Sequence, residues 1–188
     1  MIKIIGISGS LRLHSYNTAL LRTAAGLVPP DVTLTVNAIN GIPLFNEDVE
    51  AQGYPVAVQE LKEHIASADG LLLSTPEYNN SMPGVLKNAI DWLSRPGADI
   101  PRIFGDKPFA FTGASVGPFG TILGQNAWLT PMRALGVKPW TNGRLLVARA
   151  GNSFNADGLL TDESLREQLR IFMAGFAEFI AAEKKSRR

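Results

Sequence analysis

The chain has no cysteine. That absence excludes disulfides, thiolate metal sites and a cysteine nucleophile together. Histidine is almost missing as well: the two present, His14 and His64, lie far apart and have no zinc-like spacing, so no metal site is expected. Charge of neither sign is in excess, since 18 Lys and Arg against 17 Asp and Glu leave a net +1. Such a balance creates no field to draw nucleic acid or an anionic membrane, and neither is expected as a partner. No apolar run approaches the roughly 20 residues of a membrane span. The run at residues 2–7 is broken too soon by Gly6 and Gly9 to resemble a signal peptide. A cytoplasmic location is the expectation these absences leave. The basic end 184–188 reads as a solvated tail, and the sequon Asn79-Asn80-Ser81 has no meaning in such a chain.

Two phosphate-binding motifs are also lacking. A P-loop needs Lys followed by Ser or Thr after its second glycine, and neither Gly6 nor Gly9 leads to one. A dinucleotide-binding βαβ unit needs G-x-G-x-x-G and an acidic residue ending its second strand. The second strand expected here, 32–40, contains no carboxylate.

What the chain does contain is a strand, 2–7, that runs into Ser8-Gly9-Ser10-Leu11-Arg12-Leu13-His14-Ser15-Tyr16-Asn17-Thr18 and then opens a helix. Small hydroxylated residues and one arginine at a strand-to-helix turn suit a terminal phosphomonoester. Ser10, Ser15 and Thr18 supply hydroxyls, Arg12 a charge-assisted contact. The plainer alternative is a surface turn in which Asn17 caps the helix.

The 188 residues, 45% of them hydrophobic, fit a single domain, 1–188, able to bury roughly 70% of the surface of its unfolded chain. Strand and helix patterns alternate throughout, which predicts an α/β fold: a five-stranded parallel sheet with helices on both faces. The expected strands lie at 2–7, 32–40, 70–75, 108–112 and 143–148. The third is apolar throughout and so central. Helices are expected at 17–25, from Pro55 to Ala68, from Val85 to Leu93, from Leu123 to Leu135 with a kink or break at Pro131, and from Thr161 or Asp162 onward. The last carries Leu165, Leu169, Phe172, Phe176 and Phe179 as a core stripe.

In open α/β sheets ligands bind beyond the carboxyl ends of the strands. Strands one, three and four end in the least ordinary segments of the chain: 8–18, then Pro76-Glu77-Tyr78-Asn79-Asn80-Ser81, then 113–120 with Ser115 and Gly117. The last two offer backbone amides, a planar ring and glycines that allow close approach. Together the three loops describe a site for a phosphorylated flat ring, and FMN fits that description better than a dinucleotide.

Gly9-Ser10-Leu11-Arg12 with Ser15 and Asn17, then Pro76-Glu77-Tyr78-Asn79 with Pro83-Gly84 and Leu86-Lys87-Asn88-Ala89-Ile90-Asp91-Trp92, resemble the NADPH-dependent FMN reductase family, and within it the chromate and quinone reductases. The likeness runs from residue 2 to about 120 and more loosely to the last helix. It implies a flavodoxin-like three-layer sandwich, bound FMN, NAD(P)H as electron donor, and small-molecule acceptors: quinones, free flavin, chromate, ferric complexes, or azo and nitro compounds. By the same resemblance Ser10, Arg12, Ser15, Tyr16 and Asn17 hold the FMN phosphate, Pro76, Glu77, Tyr78 and Asn79 the isoalloxazine, and Ser115 with Gly117 its far edge. No protein acid, base or nucleophile is required, because the flavin carries the chemistry. Arg95 is a candidate for the NAD(P)H phosphates, against the alternative of a solvated arginine at a helix end. The chain departs from the family pattern at Thr121, Leu129 and Trp140; a homodimer or homotetramer is expected. The readings from other classes are a flavodoxin-like electron carrier and a flavin-binding module without turnover.

Overall fold

The computed structural model describes residues 1–186. Its centre is a sheet made of β1 (Ile2–Ser8), β2 (Val32–Asn37), β3 (Gly70–Ser74), β4 (Pro108–Ala114), β5 (Lys138–Pro139) and β6 (Leu145–Val147). The spatial order is β2-β1-β3-β4-β5, with β6 also on β4, and the pairings among the described residues are parallel. β3 is buried at every residue, as a strand covered on both faces must be. β2, at the edge, alternates buried and exposed positions over its first half.

Period-two alternation divides the core between the two faces. Ile4 and Leu72 point to one side, with α1 (Tyr16–Ala25) and α7 (Glu163–Ser186). Ile5, Ile7, Leu71 and Leu73 point to the other, with α3 (Val56–Ser67), α4 (Gly84–Leu93) and α6 (Ile122–Ala134). Two single-turn helices, α2 (Glu47–Glu50) and α5 (Ile100–Ile103), lie in the connections. The expected three-layer, flavodoxin-like sandwich is what the chain forms.

The fifth sheet position differs from expectation. It is shared by β5, beside Pro108 and Phe109, and β6, beside residues 112–114. The break between them has a side-chain cause. Trp140 keeps its backbone on the sheet by donating to Phe109 O at 2.8 Å, but its ring packs on Phe172 and Phe176 of α7, with centroids 5.2 and 5.7 Å away. That partly buried indole contact anchors the chain between the two short strands.

α6 runs through Pro131 undivided. A proline inside a helix costs about 3 kcal/mol, and here buried Trp128 and Met132 anchor the helix on either side of it. Along α7, Leu165, Leu169, Phe172 and Phe176 are buried as expected, whereas Phe179 is half-buried and Ile180 takes the core position. Ile180 packs against the point where Gly70 lacks a side chain. Asp162 stands just before that helix, its carboxylate accepting the Leu165 amide at 3.0 Å. Of the basic end, Lys184 pairs with Asp69 at 2.7 Å, and Arg187 and Arg188 lie outside the described residues. Among the described residues no helix is long and apolar enough to cross a membrane.

Candidate functional site

β1, β3 and β4 end at one edge of the sheet, and the loops that leave them are stitched together by backbone bonds. Gly9 donates to Ser74 O, and Thr75 to Thr112 O, both at 2.9 Å; Ser115 donates to Val147 O at 3.0 Å. Two of the glycines here are dictated by space. A Cβ on Gly9 would stand 2.7 Å from Leu86 and 2.9 Å from Pro76, and one on Gly113 would fall on the Thr75 carbonyl and the Thr121 hydroxyl.

The first loop ends where Ser15 caps α1, its hydroxyl oxygen accepting the Thr18 amide at 3.2 Å. The cap is therefore Ser15, and Asn17 lies inside the first turn. Early amides of a helix have no intrahelical acceptor, so those of Tyr16 and Asn17 face outward, on the positive end of the helix dipole. Ser10 accepts the Arg12 amide at 3.3 Å. Ser10 and Ser15 thus both act as acceptors within the loop, and each keeps its proton for a further acceptor. The Thr18 hydroxyl is paired with that of Ser8 at 2.7 Å, and either can be the donor. The Arg12 guanidinium bonds to the His14 carbonyl and lies over the Tyr16 ring, 4.9 Å from its centre.

Asn17 has another task. Its side chain, 4% exposed, donates to Ala114 O at 2.9 Å and accepts from the Ala114 amide and the Ser74 hydroxyl, each at 3.0 Å. Its carboxamide is therefore committed to the ends of β3 and β4.

In the second loop Glu77 accepts the amides of Leu123 and Gly124, both at 2.8 Å, and so caps α6. Tyr78 and Ser81 exchange backbone bonds at 3.1 and 3.0 Å around Asn79 and Asn80, whose φ values of 50° and 59° form the tight turn that asparagine tolerates best. Tyr78 is left 49% exposed. In the third loop the Ser115 hydroxyl accepts the Gly117 amide at 3.1 Å.

A cavity of about 290 Å³ lies between the loops. Ser10, Arg12, Ser15, Tyr16 and Asn17 line one side, Pro76, Glu77 and Tyr78 a second, and Ala114, Ser115 and Val116 a third. Asn79, in the turn, and Gly117, behind Ser115, are not part of the wall. Ala114 and Val116 are, although neither was expected; a valine exposed among small residues was the one signal for them. Arg95 lies outside this cavity. It follows α4 at the end away from these loops, with Nε 3.2 Å from Glu50 and a guanidinium nitrogen 3.5 Å from Glu47. There it belongs to a structural cluster: the Tyr54 hydrogen bond, and then Arg95, hold the Glu50 carboxyl below its ordinary range, and burial with the Glu50 bond pushes the Tyr54 hydroxyl up to about 12.

The cavity therefore has a cationic, amide-rich end and an end of backbone, ring and apolar groups. Its one carboxylate, Glu77, already accepts two backbone amides. That donor set fits a phosphate tailing from a flat heterocycle. Among the described residues no cluster of metal-ligating side chains occurs.

Residues 2–152 match the sequence model of NADPH-dependent FMN reductases. The chain belongs to that family. A protein named NAD(P)H-dependent FMN reductase from Pseudomonas aeruginosa is 49% identical over 169 residues, 90% of each chain. The 2-hydroxy-1,4-benzoquinone reductase of a Burkholderia species is 37% identical over 95% of this chain and 96% of its own. Among solved structures, the flavoenzyme NAD(P)H:(acceptor) oxidoreductase FerB of Paracoccus denitrificans superposes with a TM-score of 0.86 at 31% identity, over 97% of this chain and 99% of that one. As a member of the family this chain is an oxidoreductase with FMN as cofactor and NAD(P)H as electron donor, and the carrier and non-enzymatic readings fall away.

The Asn17 ties set a stability prediction. Asn17→Ala leaves both backbone groups of Ala114 buried without that partner, so it is expected to lower unfolding free energy by about 2–4 kcal/mol. Urea unfolding midpoints measure this, and a loss below about 1 kcal/mol shows that the ties are dispensable.

Proposed function

We propose that FMN lies in the cavity at the carboxyl edge of β1, β3 and β4, and that the loaded enzyme reduces quinones at the expense of NAD(P)H. The observation that supports this is the gathering of Arg12, two serine hydroxyls and the opening amides of α1 at one end of a cavity whose other end is formed by Pro76, Tyr78, Ala114 and Ser115. FMN, when bound, supplies hydride acceptance from NAD(P)H and electron delivery to the acceptor.

The protein's part is binding and orientation. Ser10 and Ser15 donate hydroxyl protons to the phosphate, Tyr16 and Asn17 donate backbone amides, and Arg12 adds a charge-assisted fork. Pro76, Glu77 and Tyr78 form one wall for the ring, with Asn79 setting the turn beside it. Ala114, Ser115 and Val116 form the opposite wall, with Gly117 holding Ser115 in place. Tyr78, on the rim, narrows the approach for flat molecules that stack on the ring. Glu77 is a capping group and not a base, since its oxygen already receives two amide protons.

Quinones are the acceptor class we favour, because quinone reductases recur among the relatives. Free flavin, chromate, ferric complexes and azo or nitro compounds are secondary candidates for the same open face. A cytoplasmic location accords with the lack of cysteine. In stopped-flow mixing, NADPH or NADH is expected to bleach the absorbance of the FMN-loaded protein, and a quinone to restore it. Flavin that neither nucleotide bleaches refutes the proposal. Arg12→Ala is expected to weaken FMN by about tenfold or more, a charge-assisted contact being worth about 1.5–3 kcal/mol, and to leave riboflavin, which has no phosphate, unchanged. Equal losses for both flavins count against the phosphate assignment.

We also propose a homodimer through the outer side of the third loop. Val116, Phe119 and Leu123 are 72%, 74% and 44% exposed, three large apolar residues within eight positions beside the cavity mouth, which is the composition of an interface core. Light scattering is expected to give twice the chain mass, and the single-chain mass for the double variant Phe119→Asp with Leu123→Asp. A dimer that survives both changes uses another face.

A further inference from the structure

The wall formed by Arg12, Ser15 and Tyr16 has a second side. Behind it is another cavity of about 320 Å³, within the range of roughly 300–1,000 Å³ typical of small-ligand sites. One flank is α1, which presents Tyr16, Ala19 and Arg22 at every third residue, so that the groove follows the helix for about 9 Å. The other flank is the loop 155–158.

That loop is held by its own bonds. Asn155 accepts the amides of Asp157 and Leu159 on its side chain at 3.1 and 2.9 Å, and its backbone bonds to Leu159 and Gly158, both at 3.0 Å. Phe154 packs on the Tyr16 ring, centroids 5.5 Å apart. Gly158, at φ 77°, brings the loop against Ala19, where a Cβ would be 3.8 Å from that of the alanine. The groove is thus shaped on both flanks.

Its charge is one-sided. Of the charged residues that line it, Arg12 and Arg22 face Asp157 alone. Elsewhere Arg95, Arg102 and Arg170 are held by carboxylates; among the described residues no ion pair holds Arg12 or Arg22. An arginine without a carboxylate, lining a formed groove, is available to a phosphate or to the face of a base.

We propose that this groove takes the adenosine-phosphate half of a dinucleotide whose other half reaches the FMN cavity. The inference rests on the FMN reading above. With one phosphate at the start of α1, Arg12 faces both cavities, and a second phosphate on its far side leads directly into the groove. Tyr16 and Ala19 then form the floor, and Arg22, about 9 Å along the helix, meets the base or a further phosphate. Two sources carry this chemistry. FAD continues from the flavin phosphate past Arg12, which lines both cavities, and NAD(P)H extends from a nicotinamide stacked over the flavin.

The test uses Arg22→Glu, which reverses the charge, and Ala156→Trp, which fills the groove. Both positions are exposed, and thermal melting together with FMN affinity reports on the fold. Flavin fluorescence gives the Kd of FMN and FAD for the apoprotein, and steady-state rates of the FMN-loaded enzyme give KM and kcat for NADPH and NADH. The flavin source is supported if both variants raise the FAD Kd about fivefold or more with FMN unchanged. The nicotinamide source is supported if they raise the KM for NADPH or NADH by that factor with kcat and FMN affinity unchanged. Unchanged FAD Kd and unchanged KM in both variants overturn the proposal, as does an equal loss of FMN and FAD. Wild-type protein that fails to bind FMN at all sinks the earlier reading, a result distinct from a groove that is merely idle.

Discussion

One side chain holds the carboxyl edge of the sheet together. Asn17 makes both backbone bonds of Ala114 and receives the Ser74 hydroxyl, so the first turn of α1 is joined to the ends of β3 and β4 inside the protein. A side-chain amide both donates and accepts in one plane, as this arrangement requires. In a buried setting, such bonds are strong and expensive to leave unmade. The helix whose opening amides face the cavity is thereby fixed relative to the strands whose loops form its other walls.

The neighbouring loops follow the same logic. Glu77 ties the second loop to the start of α6, and Trp128 of that helix donates to the Thr75 hydroxyl at 3.1 Å. Ser115 is fixed by Val147 and in turn holds Gly117. Most polar groups near the cavity therefore bind the fold, and few remain for a ligand. Those few are Arg12, two hydroxyl protons and the early amides of α1. A site that supplies position and charge while leaving the chemistry to a flavin needs little more. Pre-set groups also avoid the ordering penalty that loose loops incur on binding.

The three-layer fold was legible because its signals are local: an apolar run at 70–74, amphipathic spacing in α3 and α7, and proline or glycine between elements. The loops at the carboxyl edge were legible for the same reason, since Gly9, Ser10, Arg12 and Ser15 are neighbours and their pattern lies in a few residues. What could not be read was the partner of each polar group. Asn17 and Thr18 looked like ligand donors equal to Ser10 and Ser15, yet Ala114 and Ser8 claim them. Arg95 looked free, yet Glu50, 45 positions earlier, lies 3.2 Å away.

The sequence by itself determined the order of the main strands and helices, the covered position of β3, and the three segments that meet around one cavity. Backbone propensity, hydrophobic period and turn chemistry act over a few residues, and a sequence displays them directly. Only the tertiary structure decided that the fifth strand divides at Trp140, that α6 continues through Pro131, and that the Asn17 carboxamide ties α1 to β3 and β4. It also placed a second, basic groove behind Arg12. Each of these outcomes depends on groups brought together from distant parts of the chain, where an indole contact or satisfaction of a buried amide overrides the local preference.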